Sequence, residues 1–246
     1  MKCLLLAAGI GSRLRPLTDQ TPKCLMPIDG EPLLGIWLRN VYAIGIRSIL
    51  INTHHLAEQV KTFVTNGPYA DFVRLAHEPE LLDTAGTLLN HWNEFAGDEL
   101  LLVHADNYCL ADLGAFVAAH RKRPRGCLLS MLTFNTDQPS ACGIVELDCE
   151  GVVTGFHEKI TNPPGNLANA AIYCLSPEFL LDLKQHHPQA KSFSNDVLPS
   201  YVGRIFAHTP DSTVIDIGTP ENYQRANAQR TGLRSATPID QRKHLP

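Results

Sequence analysis

One pattern constrains this chain more than any other: short apolar runs alternate with amphipathic stretches between Lys2 and Arg121. The runs KCLLL (Lys2–Leu6), SILIN (Ser48–Asn52), FVRLA (Phe72–Ala76) and LLLVH (Leu100–His104) read as strands. Helical patterning marks Leu33–Ile44, Leu56–Val64, Thr84–Asn93 and Leu113–Arg121. Strands alternating with helices predict βαβ units and an α/β fold with a mostly parallel central sheet. Each strand gives way to small or polar residues: AAGIGS, NTHH, HEPE and HADN. Open parallel sheets bind ligands beyond the carboxyl ends of their strands, so these four segments are expected along one rim.

The second half changes texture. CLLSMLTF, CGIVELD, GVVTGFHE and NAAIYCLS are β-rich, and DCEG has the composition of a hairpin turn. A helix is expected at Pro177–Lys184, then strands at RIFAHT and TVIDIG and a closing helix in TPENYQRANAQR. Thr219 suits its N-cap, Pro220 its first position and Glu221 its first turn. No linker or repeat interrupts the chain, so residues 1–230 read as a single domain and Thr231–Pro246 as a tail without apolar periodicity. With 246 residues, 44% of them hydrophobic, the chain can bury a sizeable core. A net charge of -4 argues against a general nucleic-acid or membrane-surface binder. The seven cysteines are odd in number and form no C-x-x-C pair. The opening apolar run is too short for a signal peptide, and no later stretch could span a bilayer. A cytoplasmic protein with free thiols is the expectation.

The first rim segment, LAAGIGSRLRPLTDQTPK, carries the most chemistry. Gly9 and Gly11 let backbone N–H groups approach an anion, while Arg13, Arg15 and Lys23 add positive charge. That combination suits a polyphosphate. It is not a Walker A loop, and Leu14 stands where a dinucleotide fingerprint needs its third glycine.

The whole run resembles the signature of the sugar-1-phosphate nucleotidylyltransferases, with Ala8 in place of a glycine. The resemblance continues through LLDTAGTL, VHADN, CGIVELD, FHEKI, NAAIYCL and VIDIGTPENY, to about Arg230. It implies a Rossmann-like nucleotide-diphospho-sugar transferase fold whose β-rich second half supplies the sugar pocket. It also implies an enzyme that converts a nucleoside triphosphate and a sugar 1-phosphate into a nucleotide-sugar and pyrophosphate. Leu6, Ala8, Gly9, Gly11 and Ser12 would then wrap the nucleotide, with Arg13 and Lys23 as the catalytic cations on its phosphates. Asp106 and Asp216 follow hydrophobic strands, and the resemblance makes them ligands of Mg²⁺, completed by phosphates and water. Glu158 and Lys159 resemble the family's E-K-P motif, with Ile160 replacing the proline; Gly143 and Asn169 resemble its sugar-contact positions. Ala171 stands where a glycine is usual, and its methyl is expected to tighten or tilt the sugar pocket.

The resemblance is compatible with a homo-oligomer. Its TAG segment tilts the base towards guanine and the sugar towards a mannose- or heptose-type 1-phosphate. Glu78, Glu80 and Asp83 are available acceptors for guanine's donors, with Gly86 leaving the backbone open to close approach. Uridylyl, thymidylyl or cytidylyl transfer to another sugar or alcohol phosphate stays open, as does a non-catalytic regulatory paralogue. A glycosyltransferase fits less well, because Asp106-Asn107-Tyr108 lacks the second aspartate of a D-x-D motif. Sixteen residues after Arg230 are too few for a hexapeptide-repeat β-helix, so a single activity is expected. His54 and His55 read as a loop pair, Arg121–Arg125 as a solvated helix end, and Cys24 as a packing thiol despite its neighbour Lys23.

Overall fold

A computed structural model describes residues 1–236. In chain order its strands are β1 (Lys2–Leu6), β2 (Pro27–Ile28), β3 (Glu31–Pro32), β4 (Ile49–Thr53), β5 (Val73–His77), β6 (Leu100–His104) and β7 (Asn107–Cys109). They continue with β8 (Leu129–Asn135), β9 (Gly143–Leu147), β10 (Val153–Glu158), β11 (Leu167–Leu175), β12 (Ile205–His208) and β13 (Val214–Asp216). The α-helices are α1 (Leu33–Ala43), α2 (Ala57–Thr65), α3 (Asp83–Asn90), α4 (Trp92–Phe95), α5 (Leu113–Arg121), α6 (Pro177–His186) and α7 (Pro220–Ala236).

The expected α/β architecture with a β-rich second half is present. Strands β5, β4, β1 and β6 pair parallel, with Cys3 opposite both Ile49 and Leu101. Strand β11 joins β6 antiparallel, and from it the sheet continues to β9–β10 and to β8–β12. Both faces are covered. Cys3, Leu5, Leu101 and Val103 pack with Trp37 of α1 and Phe116 of α5. Their neighbours Leu4, Leu6, Leu100 and Leu102 pack on the other face with Leu88 of α3 and Phe179 of α6. A strand buried on both sides has no polar face, which is why β1, β4 and β6 read as largely apolar runs, whereas the edge strand β5 keeps Arg74 and His77 exposed. Each such buried side chain stabilises the fold by about 1.5–3 kcal/mol.

Local chemistry sets the ends of the elements. Asp112 caps α5 by accepting the Ala115 N–H at 3.0 Å, and Ser176 caps α6 by accepting that of Phe179 at 3.1 Å. Thr219 caps α7 as expected, accepting the Asn222 N–H at 3.3 Å. In the DCEG turn, Asp148 Oδ1 accepts from Glu150 N and Val152 N, both at 2.9 Å, and Gly151 takes φ 78°. After α5, Arg123 donates to the His120 carbonyl at 2.9 Å, so the basic run does close the helix end.

Some boundaries differ from the sequence reading. Strand β5 begins one residue late because Ala70–Phe72 forms a 3₁₀ turn. The helix expected over Thr84–Asn93 breaks at His91 into α3 and α4, and Trp92 donates from Nε1 to the Leu180 carbonyl at 2.8 Å. Helix α7 runs on to Ala236, six residues into the segment read as a tail; residues 237–246 lie outside those described.

Two packing features position the rim. Trp37 donates to the Asn107 carbonyl at 2.8 Å, tying α1 to the residue after Asp106. Helix α7 grips the β2–β3 hairpin: the Tyr223 hydroxyl donates to the Pro27 carbonyl at 2.8 Å and Arg230 to that of Ile28 at 3.1 Å. Arg230 also pairs with Glu31. Among the described residues, no helix is long and apolar enough to cross a membrane.

Candidate active site

Four charged groups converge at the rim. Lys23 is buried, and its Nζ donates to Asp106 Oδ2 at 2.8 Å and to Asp216 Oδ1 at 2.7 Å. Arg13 is exposed and reaches Asp216 Oδ2 at 3.2 Å. Pairing of β13 with β7 sets Asp216 opposite Asn107, beside Asp106, although the two aspartates lie far apart in sequence. Burial alone would lower the Lys23 pKa, but the two carboxylates outweigh it and hold the ammonium above its ordinary value. Burial would likewise raise Asp106, and the Lys23 charge outweighs that and holds the carboxyl below its ordinary value.

Two cavities meet at this junction, and His104 and Asp106 line both. The first, about 350 Å³, is bordered by Leu6, Ala8, Gly9, Glu78 and Asp83. A Cβ added to Gly9 would meet nothing within 4 Å, so the backbone there is open to a ligand. Gly11 serves a different purpose. At φ 70° it leaves room for Thr18, whose Cγ2 would lie 2.9 Å from an added Cβ, and the Thr18 hydroxyl donates to the Gly11 carbonyl at 2.8 Å. Neither Gly11 nor the exposed Ser12 lines either cavity.

Behind the first cavity lies a buried network that the sequence reading missed. Asn52, at the end of β4, accepts the Ala7 N–H at 2.7 Å and donates to Glu78 Oε1 at 3.0 Å. The Thr87 hydroxyl donates to the same carboxylate oxygen at 2.6 Å, and Leu82 N–H to the other at 3.2 Å. Glu78 is therefore 3% exposed and bonded through both oxygens, which corrects its reading as an acceptor available to a base. Glu80 and Asp83 are exposed, and Asp83 Oδ1 also accepts the Thr84 N–H at 2.6 Å.

Gly86 is a second correction. Its N–H donates at 3.1 Å to the Lys191 carbonyl, which also accepts from Ala85 at 2.7 Å. The close approach that this glycine permits is made by the chain itself. Arg15 is a third: it pairs with Asp19 at 3.1 Å instead of joining Arg13 and Lys23.

The second cavity, about 250 Å³, brings together Gly143, Glu158, Lys159 and Asn169 with Arg13 and Asp216. Glu158 ends β10, and Lys159 then turns left-handed at φ 50°, so neighbours that would face opposite ways on a strand border one cavity. Their side chains pair at 3.1 Å. A Cβ on Gly143 would lie 2.5 Å from Glu158 Oε2, so this glycine makes space for the carboxylate. Gly218 does the same at the junction, where an added Cβ would lie 2.7 Å from Arg13 Nη2. Sequence reasoning passed over Gly218, though the DIG triplet was in view. It also passed over His104, whose Nε2 is buried without a hydrogen-bond partner among the described residues. Burial holds that imidazole below its ordinary pKa.

The side features keep the bland roles expected of them. His54 Nδ1 bonds the Glu78 carbonyl at 2.8 Å and His55 Nε2 that of Thr18 at 2.9 Å, so both fasten loops. Cys24 is buried, and burial pushes its thiol up to about 12.

As for metal, no cluster of three or more His, Cys, Asp or Glu side chains exists among the described residues. What the junction offers is two carboxylates that converge on one cation. Hard oxygens in that number suit a small divalent ion that keeps water and substrate phosphates in its shell.

A cavity of about 350 Å³ and a smaller polar one thus meet beside a paired carboxylate–cation junction on the rim of a mostly parallel α/β sheet. Residues 2–232 match the Nucleotidyl transferase family, and the chain belongs to it. It is 27% identical over 247 residues to UTP–glucose-1-phosphate uridylyltransferase of Synechocystis sp., covering 92% of this chain and 62% of that protein. It is 28% identical over 232 residues to mannose-1-phosphate guanylyltransferase of Mycobacterium tuberculosis, covering 92% of this chain and 63% of the relative. The chain thus spans less than two thirds of the length of either. The crystal structure of HddC from Yersinia pseudotuberculosis complexed with GMP-PN superposes with a TM-score of 0.76 at 24% identity, over 93% of this chain and 99% of that one. That likeness is one of fold.

Proposed function

We propose that this chain transfers a nucleotidyl group from a nucleoside triphosphate to a sugar 1-phosphate, releasing pyrophosphate. The observation that carries the reading is the meeting of two cavities at Asp106, which the buried Lys23 ties to Asp216 and, through it, to Arg13. The nucleotide occupies the cavity beside Ala8 and Gly9, and the sugar phosphate the one bordered by Glu158 and Lys159. A phosphate oxygen of the sugar phosphate attacks the α-phosphorus as the bond to the bridging oxygen of the β-phosphate breaks, and the electron pair leaves with pyrophosphate. Because the acceptor is already an anion, no protein nucleophile is required.

Repulsion between two anions and charge on the leaving group are what oppose the step. Arg13 and Lys159 face the phosphates with positive charge, and Lys23 holds the two carboxylates in register. Mg²⁺ held by Asp106 and Asp216 would supply charge neutralisation at the phosphates. GTP with a mannose- or heptose-type 1-phosphate is the favoured pair. It rests on the TAG segment and on the mannose-1-phosphate guanylyltransferase among the relatives. With Glu78 engaged by the protein and Glu80 outside the lining of the first cavity, the exposed Asp83 is the carboxylate placed to meet guanine's donors. A matrix of GTP, UTP, CTP, dTTP and ATP against several sugar 1-phosphates, read by pyrophosphate release, tests this. Preference for a pyrimidine nucleotide overturns the base and leaves the transferase standing; no release from any pair overturns the transferase.

A further inference from the structure

The second cavity contains a strained residue that also packs against the hydrophobic cluster on the α3–α6 face of the sheet. Ala171, in the middle of β11, has φ 55° and lines the cavity. Left-handed backbone costs an L-residue about 1–2 kcal/mol, and the residues that visit it readily are glycine and those with a short polar side chain. Alanine is neither.

The conformation is enforced from outside. The pairing of β11 with β8 slips between Asn169 and Tyr173, forming a bulge. Asn169 clamps it with both ends of its amide: Oδ1 accepts the Ala171 N–H at 2.9 Å, and Nδ2 donates to the Tyr173 hydroxyl at 2.7 Å. Tyr173 is fully buried, so the clamp stands on the core. This also corrects the expected role of Asn169, whose amide is largely spent on the bulge. Glycine at position 171 would relieve the strain without disturbing any of these bonds. A methyl kept at that cost is fixed in position on the cavity wall, and strain retained at a ligand site points to a use.

We infer that Ala171 determines sugar specificity: its methyl restricts the second cavity to a simple hydroxylated hexose or heptose 1-phosphate and excludes N-acylamino sugars. This rests on the function proposed above and names the substrate class of the same site. Two observations support it. At about 250 Å³ the cavity is smaller than the roughly 300–1,000 Å³ of ordinary ligand pockets, so a methyl on its wall takes a larger share of the room beside the ring. A methyl also offers an amide no hydrogen bond, so an acylamino group pressed against it loses solvation without return.

The test compares wild type, Ala171→Gly and Ala171→Ser. Each is assayed for pyrophosphate release with mannose 1-phosphate and with N-acetylglucosamine 1-phosphate, at a fixed nucleotide. Ala171→Gly should raise the ratio of kcat/KM for the N-acetyl sugar over the hexose about tenfold or more, the scale of one methyl-sized group in a pocket. It should also raise Tm, showing that the change is not a damaged fold. Ala171→Ser keeps the Cβ on the cavity wall, so its ratio should rise less than that of Ala171→Gly. An unchanged ratio in Ala171→Gly, or a wild type that already prefers the N-acetyl sugar, overturns this inference alone. No pyrophosphate from wild type with any sugar 1-phosphate overturns it together with the function.

Discussion

The two halves of the rim place their functional groups by different means. In the parallel half, Leu6 and Asn52 lie on β1 and β4, Glu78 directly follows β5, and Asp106 follows β6 by two residues. Topology alone brings them side by side, and a buried hydrogen-bond network then fixes the loop. In the antiparallel half, Glu158 and Lys159 border one cavity only because Lys159 is left-handed, and Ala171 is held there by a clamped bulge. Parallel strands present their ends as a row, so a site there needs little distortion. Antiparallel strands present alternating faces, so a site built on them needs bends. Lys23, Asp106 and Asp216 join the two halves.

The largest effects should come from breaking that joint. Activity should vanish in excess chelator and return with Mg²⁺; full turnover in chelator would remove the metal from the junction. Arg13→Ala should lower kcat by about 10² or more while leaving Tm unchanged, since the side chain is exposed. Wild-type turnover in that variant would end its catalytic assignment.

Next comes the parallel half taken alone. Asn52→Ala removes the partner of the Ala7 N–H and one donor to Glu78, both buried. Urea denaturation should show a loss of roughly 2 kcal/mol. Steady-state kinetics should show a higher KM for the nucleotide than wild type, with the KM for sugar phosphate little changed. Equal rises in both would mean that the network does not belong to one half.

Lys23→Met sharpens the electrostatics of the joint. Asp106 is held below its ordinary pKa, so the stability it contributes is present above the usual carboxylate range and is lost as pH falls through its folded value. Lys23 is held above its ordinary pKa, so its share is lost only as pH rises through its own folded value. Wild type should therefore exceed the variant most clearly around neutral pH, and the gap should shrink in acid. Metal-free denaturation at pH 7 and pH 3 checks this, and a gap that widens in acid contradicts it. The smallest effect belongs to the antiparallel half: Ala171→Gly should gain about 1 kcal/mol in the same assay, and a loss would mean the bulge is unstrained.

Residue spacing made the rim legible, because strand ends and their flanking residues are local, while the residues of the second cavity came from the family resemblance. Partners far along the chain were not. Gly86 looked open because nothing near it in sequence shows that Lys191 fills the approach. Glu78 looked available because Asn52 and Thr87 reach it only once β4, β5 and α3 are packed. Arg15 looked like a phosphate ligand by composition, whereas a carboxylate four residues away claims it. The bulge at Ala171 needs the register of β8 against β11, which no single strand encodes.

The grip of α7 on the β2–β3 hairpin has a consequence for how the protein is made. Lys23 and Asp216 are separated by 193 residues, and the helix that secures the hairpin just after Lys23 is synthesised later still. At about 5–20 residues per second, a ribosome needs roughly 10–40 s to travel between them. Once β6 has been made within that interval, the nascent chain can form the parallel half of its sheet while Lys23 still lacks Asp216. A chain interrupted before β13 therefore lacks the joint, which closes only when translation has passed the last strand.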